Sequence, residues 1–151
     1  MKLRARLLFG LLVLALGSTL LGKGPTVKLT VTGPGVDHPV EITDSRALAN
    51  VYSNDWFAAP AAGPSTKLPR YVVSFHVDLE RGQGVRVMYA VRYVHDPATG
   101  EGFVYLPGRG DEMYKLNVTT IMREGVDGRW YRASKNWDVA IWSRLRTETV
   151  D

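Results

Sequence analysis

The sequence predicts a mainly β domain of the α+β class, built as an antiparallel sheet or a β-sandwich. Apolar and polar residues alternate with a period of two in VKLTVT (27–32), as in a half-buried strand. The same alternation runs through 71–79 and 85–93, two segments that can pair as a hairpin. In the last part of the chain, 135–148, large apolar residues recur every four positions, the spacing of one helix face.

The N-terminal segment has the composition of a secretory signal. MKLRAR is basic without any acid, LLFGLLVLAL is an unbroken apolar run, and Ala15 and Gly17 are small residues where a signal peptidase cuts. We predict a signal-peptide helix at 1–17 and an exported protein, secreted or held in the cell envelope. The alternative is an uncleaved anchor extending to about residue 22, although a membrane span prefers roughly 20 apolar residues. Residues 24–151 would then form a single β-rich globular domain.

The next elements are short. A second strand at 40–43 leads to a brief helix, DSRALANVY, with Asp44 as its N-cap. The segment NDWFAAPAAGPSTKLP (54–69) has three prolines and predicts a long surface loop or flap. Its adjacent Trp56 and Phe57 either fill the core or form an exposed tip, and the cost of exposing large aromatics favours the core.

The two segments that flank Arg81-Gly82-Gln83 predict one hairpin register. On one face every cross-strand pair is apolar or aromatic: Tyr71/Tyr93, Val73/Val91, Phe75/Tyr89, Val77/Val87 and Leu79/Val85. A slip of one residue would turn these side chains to the other face, so the register is strongly specified. The opposite face, called here the mixed face, carries polar and apolar residues: Arg70, Val72, Ser74, His76 and Asp78 against Arg86, Met88, Ala90, Arg92 and Val94. We expect the flap or another element to cover part of it.

The C-terminal half predicts three more strands and a helix. The strands are GFVYLP, KLNVTTIMRE and RWYRA, the last two joined by a turn at Asp127-Gly128. Pro107-Gly108 fits the centre of a type II turn, where glycine accepts the positive φ that other residues resist. Ser134 caps the final helix, KNWDVAIWSRLRTE, whose buried face would carry Trp137, Ile141 and Leu145.

The composition argues against several partners and anchors. Without the signal, 16 basic residues stand against 15 acidic ones, and this net charge of about +1 argues against a nucleic-acid partner. The chain has no cysteine, so it has no disulfides and no lipoprotein anchor. A membrane contact is expected only through the N-terminal segment, if that segment stays uncleaved.

The candidate binding residues fall in two places. Arg70, His76, Arg86 and Arg92 converge on the mixed face, and arginine forks bind carboxylates and phosphates at two points. With Trp56 and Phe57 folded over them, they would form an aromatic-lidded pocket for a small anionic or sugar-like ligand. The alternative is that these arginines are solvated or paired with Asp78 and its neighbours.

The second place is the Gly-rich loop LPGRGDE (106–112), with Arg109, Asp111 and Glu112. This loop is either a well-formed turn or a charged binding loop. Its Arg109-Gly110-Asp111 resembles the integrin-binding tripeptide, but three letters recur too often to predict adhesion. Asp111 and Glu112 could form an acid-base pair or hold a metal ion. Adjacent strand residues, however, point to opposite faces.

The sequence carries no recognisable catalytic set. His76 and Asp78 share a strand face and could act as a base and its orienter, but the predicted register places Asp78 opposite Arg86. Zinc-binding, G-x-S-x-G, P-loop and dinucleotide motifs are absent. We therefore expect no metal, no cofactor, and a non-enzymatic protein that binds an unidentified small ligand or an envelope protein. The alternative is a small hydrolase or metal-assisted enzyme that uses His76 with Asp78, or Asp111 with Glu112.

Three motifs also carry a resemblance. They are GPG…HPVEIT from Gly33 to Thr43, VYLPGRGDEMYKLNVTTIMRE from Val104 to Glu124, and DGRWYRAS followed closely by WD. On these motifs the chain resembles a family of small, uncharacterised exported bacterial proteins. The resemblance implies export and a single domain, and it brings no activity.

Overall fold

The computed structural model describes residues 24–52, 59–79, 82–117 and 128–148. These residues form one antiparallel sheet of seven strands in the order β2-β1-β4-β5-β6-β7-β3, together with helices. The strands are β1 (Thr26–Thr32), β2 (Val40–Ile42), β3 (Ala59–Ala61), β4 (Tyr71–Leu79), β5 (Gly84–Asp96), β6 (Glu101–Leu106) and β7 (Arg129–Arg132); the helices are α1 (Ser45–Tyr52), α2 (Tyr114–Asn117) and α3 (Lys135–Glu148). The mainly β prediction is confirmed, and of the two predicted architectures the single sheet is the one found.

Both predicted helices begin where their capping residues stand. Asp44 accepts a hydrogen bond from the Ala47 N–H at 2.8 Å, and Ser134 accepts one from the Trp137 N–H at 3.3 Å. Each cap satisfies a backbone donor that the first helical turn leaves without an intrahelical partner. Arg144 of α3 also lies 2.6 Å from Asp44, which ties the two helices together.

The core lies between the two longer helices and one face of the sheet. Trp137, Ile141 and Leu145 are fully buried, as the four-residue spacing predicts. They share a cluster with α1 and with the inward side chains of the central strands, including Phe75 and Tyr93. The opposite face of the sheet is the mixed face, and the two longer helices do not pack on it. Ala90 and Val94 are nevertheless buried there, so part of this face is covered.

The hairpin register is confirmed for the half farther from the turn, called here the inner half. It is wrong for the half next to the turn. Tyr71, Val73 and Phe75 pair with Tyr93, Val91 and Tyr89, as predicted. A bulge then shifts the register, because Phe75 pairs with Tyr89 but the next residue, His76, pairs with Val87. The extra residue is Met88, which packs partly buried against the core.

The bulge exchanges the faces of the residues beyond it. Val77 pairs with Arg86 and Asp78 pairs with Val85, not with Val87 and Arg86 as predicted. Directly paired residues share a face, so Arg86 leaves the mixed face while Val85 and Val87 join it, where 53% and 37% of their surface is exposed. The predicted cross-strand pair of Asp78 with Arg86 is therefore wrong.

Three further local predictions are corrected. The predicted flap contains β3, whose residues 59–61 pair with β7, so this part is a short edge strand. The first residues of the predicted strand 115–124 are helical in α2. Gly108 is not among the glycines with positive φ, which excludes the predicted type II turn.

Other predictions fall on residues outside the described ranges. These include the signal segment 1–17, the flap aromatics Trp56 and Phe57, and most of the predicted strand 115–124. Within the described ranges, no helix is long and apolar enough to cross a membrane.

Candidate functional site

The mixed face brings together aromatic and basic residues from three neighbouring strands, next to an apolar residue of a fourth. Val72 of β4 pairs with Arg92 of β5, Arg92 pairs with Tyr105 of β6, and Tyr105 pairs with Trp130 of β7. Direct partners in antiparallel strands point to the same side of the sheet, about 5 Å apart. The pairing therefore places these side chains in one row across the face.

Arg92, Tyr105, Trp130 and Arg70 are in continuous contact, and we call them the arginine–aromatic ladder. The Arg92 guanidinium lies 5.4 Å from the centre of the Tyr105 ring, and the Arg70 guanidinium lies 5.6 Å from the Trp130 ring. The two rings have their centroids 5.0 Å apart at 47°. Both guanidiniums lie within the distance at which a cation is attracted to an aromatic ring. The ladder thus has a cation at each end and two aromatic rings between.

Asp111 holds one end of the ladder in place. Its carboxylate accepts hydrogen bonds from Arg92 Nη1 at 2.8 Å, the Tyr105 hydroxyl at 2.9 Å and the Gly108 N–H at 2.7 Å. Although burial raises the pKa of Asp111, the three donors together lower it below its ordinary value. Asp111 is therefore a charged anchor at neutral pH, and its two side-chain partners are ladder residues.

The Gly-rich loop is shaped by close approach of its backbone to a neighbouring glycine. The Asp111 N–H donates to the Gly108 carbonyl at 2.8 Å, which closes a tight turn. A Cβ at Gly108 would lie 3.0 Å from the Gly128 Cα, which is closer than side-chain carbons normally come. Glycine at 108 is therefore needed for close packing and not for a positive φ. Arg109 and Glu112 lie exposed beside this turn.

A loop glycine fixes the other end of the ladder. A Cβ at Gly63 would lie 2.6 Å from Cδ1 of Trp130 and 2.9 Å from its Nε1. Gly63 also has φ of 37°, a conformation that disfavours other residues. The backbone at Gly63 therefore lies against the indole, which leaves the ring little freedom to turn.

The structure separates the residues that the sequence grouped together. Arg70 and Arg92 lie in the ladder, and Asp111 lies beside it. His76 is on the mixed face but contacts Thr30, with Nε2 3.0 Å from the hydroxyl oxygen. Burial and the nearby Lys28 lower the pKa of His76. Arg86, turned away by the bulge, does not converge with the other arginines.

Tyr105 and Trp130 were not among the predicted site residues. Both lie in short strands with alternating patterns, so the sequence predicts that each points to the face opposite that of its two sequence neighbours. It does not indicate that β6 and β7 place them opposite each other. The available signal was the segment RWYR, in which an arginine stands at each end of an aromatic pair, and it is weak.

The carboxylates of the Gly-rich loop do not form a pair. Asp111 points into the mixed face, where three donors use its oxygens, while Glu112 is exposed. In the described part of the chain, no three His, Asp or Glu side chains gather as a metal site would require.

A second polar cluster lies under α3, on the helix side of the sheet. Asp138 accepts a hydrogen bond from the Tyr93 hydroxyl at 2.6 Å, and its Oδ1 lies 3.8 Å from His95 Nδ1. The His95 ring stacks on Trp142 with centroids 4.3 Å apart. A Cβ at Gly102 would lie 1.8 Å from Asp138 Oδ1, so only glycine fits there. These contacts dock the first turn of α3 on β5 and β6.

The stability of this helix contact is expected to depend on pH. Burial raises the pKa of Asp138, and the hydrogen bond from Tyr93 and the charge of His95 offset this only in part. The folded protein therefore binds this proton more tightly than the unfolded chain, so acidification stabilises the fold through Asp138. As pH falls from 7 towards about 4, near the ordinary pKa of aspartate, the wild type should gain free energy of unfolding relative to Asp138→Asn.

Urea denaturation across this pH range measures that difference. The exposed Asp37 offers a matched control, since Asp37→Asn makes the same change in charge at the surface. Repeating the comparison in a His95→Gln background removes the imidazole that lies 3.8 Å from Asp138. A difference between wild type and Asp138→Asn that stays constant with pH would contradict the assignment.

No protein-family model, no curated protein and no solved structure matches this chain.

Proposed function

We propose that this chain is an exported, non-enzymatic binding module that captures its ligand on the arginine–aromatic ladder. The N-terminal sequence supports export, through its basic start, its apolar run and the small residues at its end. The ladder supports binding, because aromatic and arginine side chains are the residues that contribute most at recognition surfaces.

The observation that carries the proposal is that the ladder is both accessible and held in place. Arg70 is exposed, and Tyr105, Trp130 and Arg92 are partly exposed. Behind them Asp111 fixes Tyr105 and Arg92, while Gly63 lies against Trp130. A preorganised surface loses less conformational entropy when it binds, so more of its contact energy appears as affinity.

The enzymatic alternative has weaker support from the same geometry. All three hydrogen bonds to Asp111 come from the protein itself, and Glu112 is exposed. His76 and Asp78 do share the mixed face, with the Thr30 hydroxyl 3.0 Å from His76 Nε2, but their partners on β5 are the apolar Val87 and Val85. A hydroxyl beside one histidine does not complete a catalytic set.

A thermal-shift panel tests the binding proposal. The full chain is heated with divalent metals, phosphates, acidic and neutral sugars, peptidoglycan fragments and lipids. We expect one chemical class to raise the melting temperature by several degrees, because a ligand at 100 times its Kd adds about 2.7 kcal/mol to the folded state. Trp130→Ala should abolish this rise, since it removes the central ring of the ladder.

The matched control is Val139→Ala, on the exposed side of α3, where 65% of the valine surface is accessible. This variant should keep the full shift. A rise of equal size in Trp130→Ala would place the binding site elsewhere, and a flat panel would contradict the capture of a small ligand.

A further inference from the structure

We propose that the ligand of the ladder is an acidic saccharide, bound with its sugar rings against the exposed parts of Tyr105 and Trp130 and with a carboxylate at Arg70. This inference rests on the proposed binding function and names the chemistry that the surface would recognise. It follows from three features of the ladder, which are its paired rings, its charge and its open end.

The paired rings match a chain of sugars better than a single flat ligand. Tyr105 and Trp130 are inclined at 47° to each other, so one planar molecule cannot lie flat on both. Two linked sugar rings can each take a different tilt about the bond that joins them. Each ring has an apolar C–H face for the aromatic ring and a polar rim for the neighbouring donors. The spacing of 5.0 Å between the ring centroids is short enough for consecutive sugar units.

The charge of the ladder selects a singly charged group. Arg70 and Arg92 carry two positive charges, and the ionised Asp111 cancels one of them at a distance of 2.8 Å. The net charge of the ladder together with Asp111 is therefore +1. A carboxylate neutralises one positive charge, whereas a phosphate monoester carries close to two negative charges at neutral pH. A neutral sugar would leave the positive charge of Arg70 without a counterpart.

The end of the ladder formed by Arg70 is where the carboxylate would bind. Arg70 makes no ion pair within the described residues, and its guanidinium stays exposed above Trp130. Its planar fork can donate two parallel hydrogen bonds to a carboxylate. Arg92 donates one N–H to Asp111, and its remaining donors face the hydroxyl groups of the adjacent sugar unit in this arrangement.

Isothermal titration calorimetry on the full chain tests the inference with matched probes. Digalacturonic acid is compared with its neutral dimethyl ester, with cellobiose and with glucose 6-phosphate. We expect digalacturonic acid to bind and its ester to bind at least tenfold more weakly. We also expect affinity for the acid to fall as salt rises, since an exposed ion pair is screened by salt.

Two arginine variants locate the charge. Arg70→Gln should weaken binding of digalacturonic acid about tenfold and leave any binding of the ester unchanged. Arg46→Gln, at an exposed arginine of α1 on the other side of the sheet, should bind like the wild type. Equal loss in both variants would overturn the assignment to Arg70.

The remaining outcomes separate this inference from the proposed function. If the ester or cellobiose binds as tightly as the acid and Trp130→Ala abolishes that binding, the acidic assignment is wrong and the binding function stands. Tighter binding of glucose 6-phosphate would replace the carboxylate by phosphate. If no saccharide binds and the thermal-shift panel is also flat, the inference and the proposed function both fail.

Discussion

Replacing Trp137 by alanine is expected to lower the free energy of unfolding by about 3–5 kcal/mol, the usual cost of deleting a large buried aromatic side chain. Trp137 is fully buried and lies between α3 and the sheet. Its ring contacts Tyr93 edge-on, with centroids 5.6 Å apart, and stacks near Phe75 at 6.4 Å. Alanine would leave a cavity bordered by both rings, and a close-packed core fills such a cavity only in part.

Urea denaturation followed by far-UV circular dichroism measures this loss. Val139→Ala is the matched control, because it lies on the same helix with its side chain in solvent. It should change the free energy of unfolding by less than about 0.5 kcal/mol. A cost below about 1 kcal/mol for Trp137→Ala would mean that α3 does not pack on the sheet through this residue.

The parts of the fold that could be predicted are those with a local physical cause. Asp44 and Ser134 cap helices because each side-chain oxygen accepts from the backbone N–H three residues later. The buried face of α3 follows from the helical repeat. The inner half of the β4–β5 hairpin follows from the apolar pattern, because any slip of one residue would expose it.

The predictions that were wrong concern elements whose structure depends on contacts between residues far apart in the sequence. The bulge at Met88 leaves the apolar pattern of the inner half of the hairpin intact, but beyond it Val85 and Val87 are exposed, although the apolar pattern favours the core side for both. The short strand β3 exists because it pairs with β7, whose residues lie 69 to 73 positions further along the chain. Its sequence, APA, has little preference for a strand of its own.

The candidate site was only half predictable for the same reason. Arg70 and Arg92 could be placed on one face because they belong to a single hairpin, whose register the sequence specifies. Tyr105 and Trp130 come from strands whose pairing depends on the whole sheet. Asp111 was predicted as a candidate binding, acid-base or metal-binding residue of the Gly-rich loop. In the structure it positions two ladder residues.

Replacing Asp111 by asparagine is expected to destabilise the fold and to weaken binding on the ladder together. The carboxylate is largely buried, with 16% of its side-chain surface exposed, and each of its oxygens accepts from a donor. Asparagine has one acceptor oxygen, so its NH₂ group must face either Arg92 or the Gly108 N–H. We expect a loss of about 1.5–3 kcal/mol in the free energy of unfolding at pH 7, the range for hydrogen bonds to charged groups.

The acid dependence of this loss identifies its cause. Since the folded-state pKa of Asp111 is lowered, its contribution to stability is present above the ordinary aspartate pKa of about 3.9 and disappears as pH falls through the folded-state value. The difference between wild type and Asp111→Asn should therefore be largest at neutral pH and narrow below about pH 4. Urea denaturation from pH 7 to about pH 3 measures it.

Glu112→Gln is the matched control, because it makes the same change in charge at the exposed neighbouring position. It should leave unchanged both the free energy of unfolding and the rise in melting temperature that the ligand causes. If Glu112→Gln abolished capture while Asp111→Asn kept it, the Gly-rich loop itself would be the binding surface and the ladder would not. If Asp111→Asn lost stability without losing capture, Asp111 would hold the loop against the sheet without positioning Tyr105 and Arg92 for a ligand.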